Sequence, residues 1–147
     1  MAGSKSDALE ADILNFLYRT ATTLAGATGA TKPANRWLAT FSADPTDAGS
    51  GAEITTFGVA RVAIPVADAS WSAPAVNGTN YRITNASQIS VGPTTGNAGI
   101  ATHWGLVTSA SGAFTLLHHG NFDTSVDLSA SGRTLTIAAG ALAIDEG

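Results

Sequence analysis

The sequence predicts a mainly β protein, an antiparallel β-sandwich or jelly roll with one N-terminal helix. Short apolar runs of strand length recur between residues 35 and 147, and turns rich in Gly and Ser separate them. Helical spacing of apolar residues is confined to residues 6–19. No segment alternates strands with helices, the pattern typical of parallel sheets. We therefore predict an N-terminal arm, helix and connector over residues 1–34 and a β-sandwich domain over residues 35–147.

The composition limits the class of function. A length of 147 residues fits one domain that buries its own core. Charged residues make up 12% of the chain, whereas about a quarter is usual for a globular domain. This scarcity of charge indicates that partners cover much of the surface. The net charge is −4, with seven Lys and Arg residues and no basic cluster, so a nucleic-acid-binding surface is not predicted.

The chain has no cysteine, which excludes disulfides, thiolate catalysis and thiol-bound metal clusters. Its first residues, MAGSKSDALEADIL, carry acids where a signal peptide would have a basic end and an apolar run. No stretch approaches the about eighteen apolar residues of a membrane span. We expect no membrane partner and a protein that stays in the cytosol until it is assembled.

One helix is predicted near the N-terminus. Ser6 can cap it. Asp7 and Glu10 near its start and Arg19 near its end are the charges that the helix dipole favours. A short helix with one apolar stripe must pack either on its own domain or on another subunit. The residues of this stripe, which are the predicted subunit contacts, are Leu9, Ile13, Phe16 and Leu17.

Residues 20–34 are nearly all small, and Gly26, Gly29 and Pro33 interrupt them. This composition predicts an extended connector.

The stretch that organises the rest of the chain is Asn35–Val66. Apolar runs on both sides of a polar segment predict a strand, a long turn and a second strand there. The glycine spacing in this turn matches neither a dinucleotide-binding motif nor a P-loop.

The later strands are predicted from alternation and turn signals. Trp71 is expected to anchor its loop in the core, with an exposed binding aromatic as the alternative. Asn85 is expected to break the strand region Tyr81–Val91 in two. Ile100–Thr108 and Ala113–His119 are predicted to form a hairpin. Ser125–Leu128 and Arg133–Ala138 are predicted to flank a second turn in the same manner, and Ala141–Ile144 is the last predicted strand.

No catalytic, cofactor-binding or metal site is predicted, and the chain is not expected to be an enzyme. His118 and His119 are adjacent and would point to opposite faces of a strand, so that with His103 they supply no ligand set of defined spacing. No strand–elbow–helix context marks a nucleophilic serine. The acidic pairs, which are expected to be solvated rather than enclosed, are Asp123 with Asp127 and Asp145 with Glu146.

Several runs carry a resemblance to a known family. They are Trp37–Phe41 (WLATF), Asp44–Gly49 (DPTDAG), Glu53–Ile54, Ala60–Val62 (ARV) and Thr102–Leu106 (THWGL), followed by a leucine-rich strand that ends at Gly120. Together they resemble small structural proteins of tailed bacteriophages, described as tail-fibre-like, and are similar to the cement or decoration proteins that clamp a phage head. The likeness covers residues 34–144, and DPTDAG with the following ARV is its most specific part.

The resemblance implies a virion structural protein. Our expectation is a capsid cement or decoration protein on the capsid surface, assembled in the host cytoplasm, that bridges copies of the major capsid protein as a homo-oligomer and needs no cofactor. The alternative is a tail-fibre-like or baseplate component that contacts a host or another tail protein. A third hypothesis is a carbohydrate-binding or hydrolytic jelly roll that uses Trp71, Trp104 and nearby acids.

Overall fold

The computed structural model describes residues 5–21, 24 and 32–146. These residues form two compact units. The first contains the described parts of Met1–Ala34, Pro65–Gln88 and Ala138–Gly147, and the second contains Asn35–Ile64 and Ile89–Ile137. The division of the chain into residues 1–34 and 35–147 stays a prediction.

One helix and nine strands are found within the described residues. In chain order they are α1 (Asp7–Tyr18), β1 (Asn35–Phe41), β2 (Val62–Pro65), β3 (Ala75–Asn77), β4 (Asn80–Thr84), β5 (Ile89–Val91), β6 (Ile100–Val107), β7 (Leu116–Asp127), β8 (Leu135–Ile137) and β9 (Ala143–Glu146). The strands form three sheets, ordered β2-β1-β6-β7, β3-β4-β9 and β5-β8. The prediction of a mainly β, antiparallel fold with a single N-terminal helix is confirmed. The sheets are consistent with a β-sandwich, whereas a jelly roll is not confirmed.

The first unit places α1 on a three-stranded sheet. The Ser6 hydroxyl accepts a hydrogen bond from the Leu9 amide at 3.4 Å, as predicted for the helix cap. The helix packs against β4 and β9. Between these two strands, Ile83 lies opposite Ile144, and both side chains are buried. The sheet therefore offers the helix an apolar face, because alternate strand residues point to the same side.

Trp71 anchors the first unit, as predicted. Only 1% of its surface is exposed, and its ring centroid lies 4.8 Å from that of Tyr18 on α1. Its indole N–H donates to the Pro65 carbonyl at 3.2 Å, while the Arg19 guanidinium donates to the Trp71 carbonyl at 2.8 Å. The ring thus joins helix and loop, and its one polar atom keeps a hydrogen-bond partner in the core.

Asn85 ends β4, as predicted, and its buried side chain explains why. The amide nitrogen donates to the carbonyls of Ser87 and Ala138, at 2.8 and 2.9 Å. The amide oxygen accepts from the Leu142 backbone N–H at 2.8 Å. An asparagine can replace the missing ladder bonds in this way, so the chain turns without leaving buried backbone groups unpaired.

The second unit contains the organising strand–turn–strand. β2 pairs with β1, and β1 pairs antiparallel with β6 from Trp37 opposite Val107 to Phe41 opposite His103. The long turn between β1 and β2 folds on itself, since the Asp44 carboxylate accepts from the Thr46 amide at 2.9 Å. The core cluster of this sheet consists of Ala39, Phe41 and Val107 with Trp37, Phe114 and Leu116 packed against it.

The predicted hairpin of Ile100–Thr108 with Ala113–His119 is confirmed by the pairing of β6 with β7. The second predicted hairpin, Ser125–Leu128 with Arg133–Ala138, is wrong. β7 runs without a break to Asp127, and β8 pairs with β5 instead.

Gly120 was expected to end the strand, but it lies within β7 under the Trp104 side chain. An added Cβ there would be 2.9 Å from Cζ2 of that ring. The glycine therefore makes room for the tryptophan and does not mark a turn.

The predicted connector over residues 20–34 lies mostly outside the described residues. At its two described ends, Thr20 donates to the Asp68 carboxylate from its amide at 3.1 Å and its hydroxyl at 2.9 Å, and Lys32 donates to the Arg19 carbonyl. The two hydrogen bonds from Thr20 favour the charged carboxylate and lower the pKa of Asp68 below its ordinary value.

Candidate interaction site

The four predicted contact residues lie together on α1 and are all partly exposed. The residues of the helix that are fully covered are Glu10, Leu14 and Tyr18, which recur every four positions and define its inward face. The predicted stripe of Leu9, Ile13, Phe16 and Leu17 borders this face and keeps accessible surface. Its role as a subunit contact stays a prediction. Leu14 and Tyr18 were not predicted to face inward, although their spacing of four residues is a signal for an inward face.

Glu10 is an unexpected member of the inward face. Its side chain is 4% exposed, and its Oε2 atom has no hydrogen-bond partner among the residues that the structure describes. The first turn of a helix favours a negative charge, which offsets part of the cost of burying a carboxylate there. The sequence indicated the helix-dipole role but not the burial.

The three histidines do not come together. His103 Nδ1 lies 2.8 Å from the Thr102 hydroxyl. His119 lies between two aspartates of the DPTDAG turn, with Nδ1 3.4 Å from Asp44 and Nε2 3.2 Å from Asp47. The two nitrogens of an imidazole point in different directions and cannot bind the same metal ion. The contacts of His119 with the two aspartates instead tie β7 to the turn. Within the described part of the chain, no group of three metal-ligating side chains occurs.

Two of the acidic residues that were expected to be solvated, Asp127 and Asp145, are exposed and make local contacts. The Asp145 carboxylate accepts from Nε and Nη2 of Arg82, both at 2.7 Å, which lowers the pKa of Asp145. The Asp127 carboxylate accepts from the hydroxyl and the amide of Ser129, which lowers the pKa of Asp127. A general acid needs a raised pKa, so neither carboxylate is suited to that role.

The carbohydrate-binding hypothesis loses one of its two aromatic residues. A sugar needs an accessible ring face, and Trp71 is buried. Trp104 is half-buried and lies beside Gly120 on the neighbouring strand. The prediction of Trp71 as a core residue is therefore correct, and its alternative as an exposed binding aromatic is wrong.

Arg61, part of the ARV run, holds two loops of the second unit together. Its guanidinium makes a bidentate pair with Glu53, at 2.7 and 2.8 Å, and donates to the carbonyls of Ser109 and Gly112, both at 2.9 Å. Its charged carbon lies 4.6 Å from the centroid of the Phe114 ring. The side chain is 5% exposed, and the planar fork of the guanidinium gives this nearly buried charge its hydrogen-bond partners.

A cleft of about 310 Å³ lies beside this clamp. Thr55 and residues 59–61 form one part of its lining, and residues 110–112 form the other. Because Glu53 balances Arg61, the lining carries no uncompensated charge. The volume is at the small end of the range of about 300–1,000 Å³ that is typical of ligand pockets.

These features define an antiparallel β protein whose candidate sites are contact surfaces. Residues 4–145 match the family described as Podophage GP4 fiber I protein gp80. The chain belongs to this family of phage structural proteins. The comparison with curated proteins found no match. No helix in the described ranges is long and apolar enough to span a bilayer.

The family match bears on the expectations from the resemblance. It confirms the expectation of a phage virion structural protein. Its description names a fibre, which favours the tail-fibre-like alternative over the predicted capsid cement role, and placement on the capsid surface is not confirmed.

Proposed function

We propose that this protein is a fibre component of the phage particle that acts by binding other virion proteins. The observation that carries the proposal is the match of nearly the whole chain to a family described as a fibre protein. The low charged fraction of 12% supports it, because charge is depleted where protein surfaces are buried on assembly. The proposal assigns no catalysis, cofactor, nucleic acid or membrane to the chain.

Copies of the same chain are the first partner that we propose. The stripe of Leu9, Ile13, Phe16 and Leu17 borders the covered face of α1 and is partly exposed. Apolar side chains at the edge of a packed helix gain free energy when a second subunit covers them. The N-terminal helix is therefore our candidate for the contact between subunits.

The position of the protein in the particle tests the proposal. Purified phage particles would be labelled with gold-coupled antibodies raised against the chain and imaged, and copies per particle would be counted by quantitative mass spectrometry. The control is a particle preparation from a phage that lacks the gene. We expect label on fibres and a low copy number. Label spread over the head lattice, with a copy number close to that of capsid subunits, would instead support the cement role.

A further inference from the structure

The turn between β3 and β4 places an asparagine and a following glycine at the surface. Asn77 and Asn80 pair across the hairpin, so Gly78 and Thr79 form a two-residue turn. Gly78 has φ 67°, as expected for the first central residue of a type II′ turn. Residues 75–79 are all exposed, so water reaches the tip of this hairpin. Asn77 is also the only asparagine in the chain that precedes a glycine.

The backbone nitrogen of Gly78 is free to act as a nucleophile. Its N–H donates to no acceptor among the residues that the structure describes. A Cβ at Gly78 would meet no heavy atom within 4 Å, so open space surrounds this part of the backbone. The nitrogen is joined through its own chain to the Asn77 side chain, and attack on Cγ of that side chain closes a small ring. Glycine has no side chain that hinders this attack.

Arg82 on the neighbouring strand lies against the side-chain amide of Asn77. With its oxygen toward Arg82, this amide accepts from Nε at 3.3 Å and from Nη2 at 2.9 Å. In the opposite orientation, its nitrogen lies 3.4 Å from Oδ1 of Asp145, which is a longer contact. A guanidinium on the amide oxygen stabilises the negative charge that develops there when a nucleophile attacks Cγ. The fold therefore favours attack at the electrophilic carbon as well.

Asn97 provides a comparison within the same chain, because it is also exposed. It precedes Ala98, whose N–H donates to the Leu128 carbonyl at 3.0 Å and whose methyl group hinders the nitrogen. The side-chain oxygen of Asn97 accepts from the Gly99 amide at 3.1 Å. Exposure is common to both asparagines, whereas a free and unhindered following nitrogen distinguishes Asn77.

We propose that Asn77 is a site of spontaneous deamidation. Hydroxide takes the proton of the Gly78 N–H, and the nitrogen attacks Cγ of Asn77. The N–Cγ bond forms, the Cγ–Nδ2 bond breaks, and ammonia leaves with a proton from the solvent. Water then opens the cyclic imide at either of its carbonyls, which gives aspartate or isoaspartate. The net reaction consumes one water molecule, releases one ammonia molecule and involves no oxidation or reduction.

Both products change the hairpin, and this inference is independent of the proposed fibre role. Each product puts a second carboxylate beside Arg82, which already binds Asp145 through two hydrogen bonds of 2.7 Å. Isoaspartate also lengthens the backbone next to a two-residue turn, whose length fixes the pairing of β3 with β4. The charge and the register of this hairpin therefore change with the age of the protein.

The test follows the purified full-length protein over time in mildly alkaline buffer. Peptide mapping by liquid chromatography and mass spectrometry separates aspartate from isoaspartate and measures Asn77 and Asn97 in the same sample. We expect Asn77 to deamidate at least about tenfold faster than Asn97 and to give both isomers, which corresponds to a difference in barrier of about 1.4 kcal/mol.

Gly78→Ala tests the assignment of the nucleophile. The added methyl group hinders the nitrogen, so we expect deamidation of Asn77 to slow at least about tenfold. Alanine is strained at a φ of 67°, and the rate at Asn97 in the same variant therefore reports any partial unfolding. The wild-type comparison of the two asparagines decides the inference even where this variant loosens the turn.

Three outcomes would overturn the inference. Equal rates at Asn77 and Asn97, or an Asn77 that stays intact while Asn97 reacts, would reject Asn77 as the site. Aspartate as the sole product would reject the cyclic imide. A Gly78→Ala protein with unchanged rates at both asparagines would show that the Gly78 nitrogen is not the nucleophile. These outcomes leave the fibre assignment untouched, because the position of the chain in the particle tests it separately.

Discussion

Asn85 carries an unusual share of the hydrogen bonding in the first unit, because one side chain serves two carbonyls and one amide. Asn85→Ala would leave the buried Leu142 amide without its partner, whereas the Ala138 carbonyl would keep the Ala141 amide at 3.1 Å. We expect the free energy of unfolding to fall by about 1–3 kcal/mol, the cost of one unsatisfied buried group. Urea denaturation measures this. The control is Asn121→Ala at an exposed position of β7, where we expect a change within about 0.5 kcal/mol.

The pair of Asp145 with Arg82 predicts a pH dependence. The folded state lowers the pKa of Asp145, so the unfolded chain takes up the proton first as the pH falls. Its contribution to stability is complete above the ordinary aspartate pKa and is lost as the pH falls through the lowered, folded value. We therefore expect Asp145→Asn to lower the melting temperature at pH 7 and to have little effect at the acid end of a titration.

Both partners of this pair are more than a third exposed, so salt screens their attraction and the effect at pH 7 should be smaller than that of Asn85→Ala. Melting curves across the pH range, at constant ionic strength, provide the measurement. An effect of Asp145→Asn that stays constant from neutral to acid pH would contradict this account of the pair.

At the residue scale, sequence reasoning succeeded where chemistry is local. Ser6 was predictable as a helix cap because its side chain bonds to backbone three residues further on. Asn85 was predictable as a strand breaker, but its bonds to Ala138 and Leu142 join positions more than fifty residues apart and were not. The left-handed backbone of Phe57 was not predicted, because glycine is the residue that usually adopts this conformation.

Among the elements, the loops that Arg61 joins supply the next prediction. Lysine keeps the charge but cannot reproduce the fork that binds Glu53 and two carbonyls. We expect Arg61→Lys to reduce the free energy of unfolding by about 2–3 kcal/mol, in line with the loss of charged hydrogen bonds. The exposed Arg133→Lys, whose pair with Asp127 is 3.5 Å long, should change stability by less than about 0.5 kcal/mol. Equal effects of the two variants in urea denaturation would show that the Arg61 clamp contributes little.

The stripe on α1 predicts a change in self-association. We expect the double variant Leu9→Ser, Ile13→Ser to raise the dissociation constant of the oligomer at least tenfold, because two partly exposed apolar side chains leave the contact. Leu14→Ala, on the inward face, should instead lower the free energy of unfolding by about 2–5 kcal/mol and leave association unchanged below its melting point.

Analytical ultracentrifugation over a concentration series measures the association. Wild-type association that the double variant matches would reject the stripe as a subunit contact. A monomeric wild-type protein at all concentrations would reject self-association through this helix.

The elements themselves show where sequence patterns lose information. Strand positions were predictable from apolar alternation, and the β6–β7 hairpin was predictable because its partners are adjacent in sequence. The pairing of β5 with β8 joins segments more than forty positions apart, and short strands carry no local signal for such a partner. Gly120 illustrates the same limit, because the ring that requires it belongs to the neighbouring strand.

For the whole molecule, composition pointed to contact rather than catalysis, and the low charge indicated covered surfaces. The resemblance gave the correct class, a phage structural protein, but placed the fibre role second. Composition cannot distinguish a head protein from a tail protein, because both bury uncharged surface against their neighbours.

The most direct measurement of the central claim is a reconstruction of the purified phage particle by electron cryomicroscopy at a resolution that separates strands. We predict density for this chain within a fibre, with its antiparallel sheets recognisable. Density for the chain between capsid subunits on the head, or a particle without the chain, would contradict the fibre assignment.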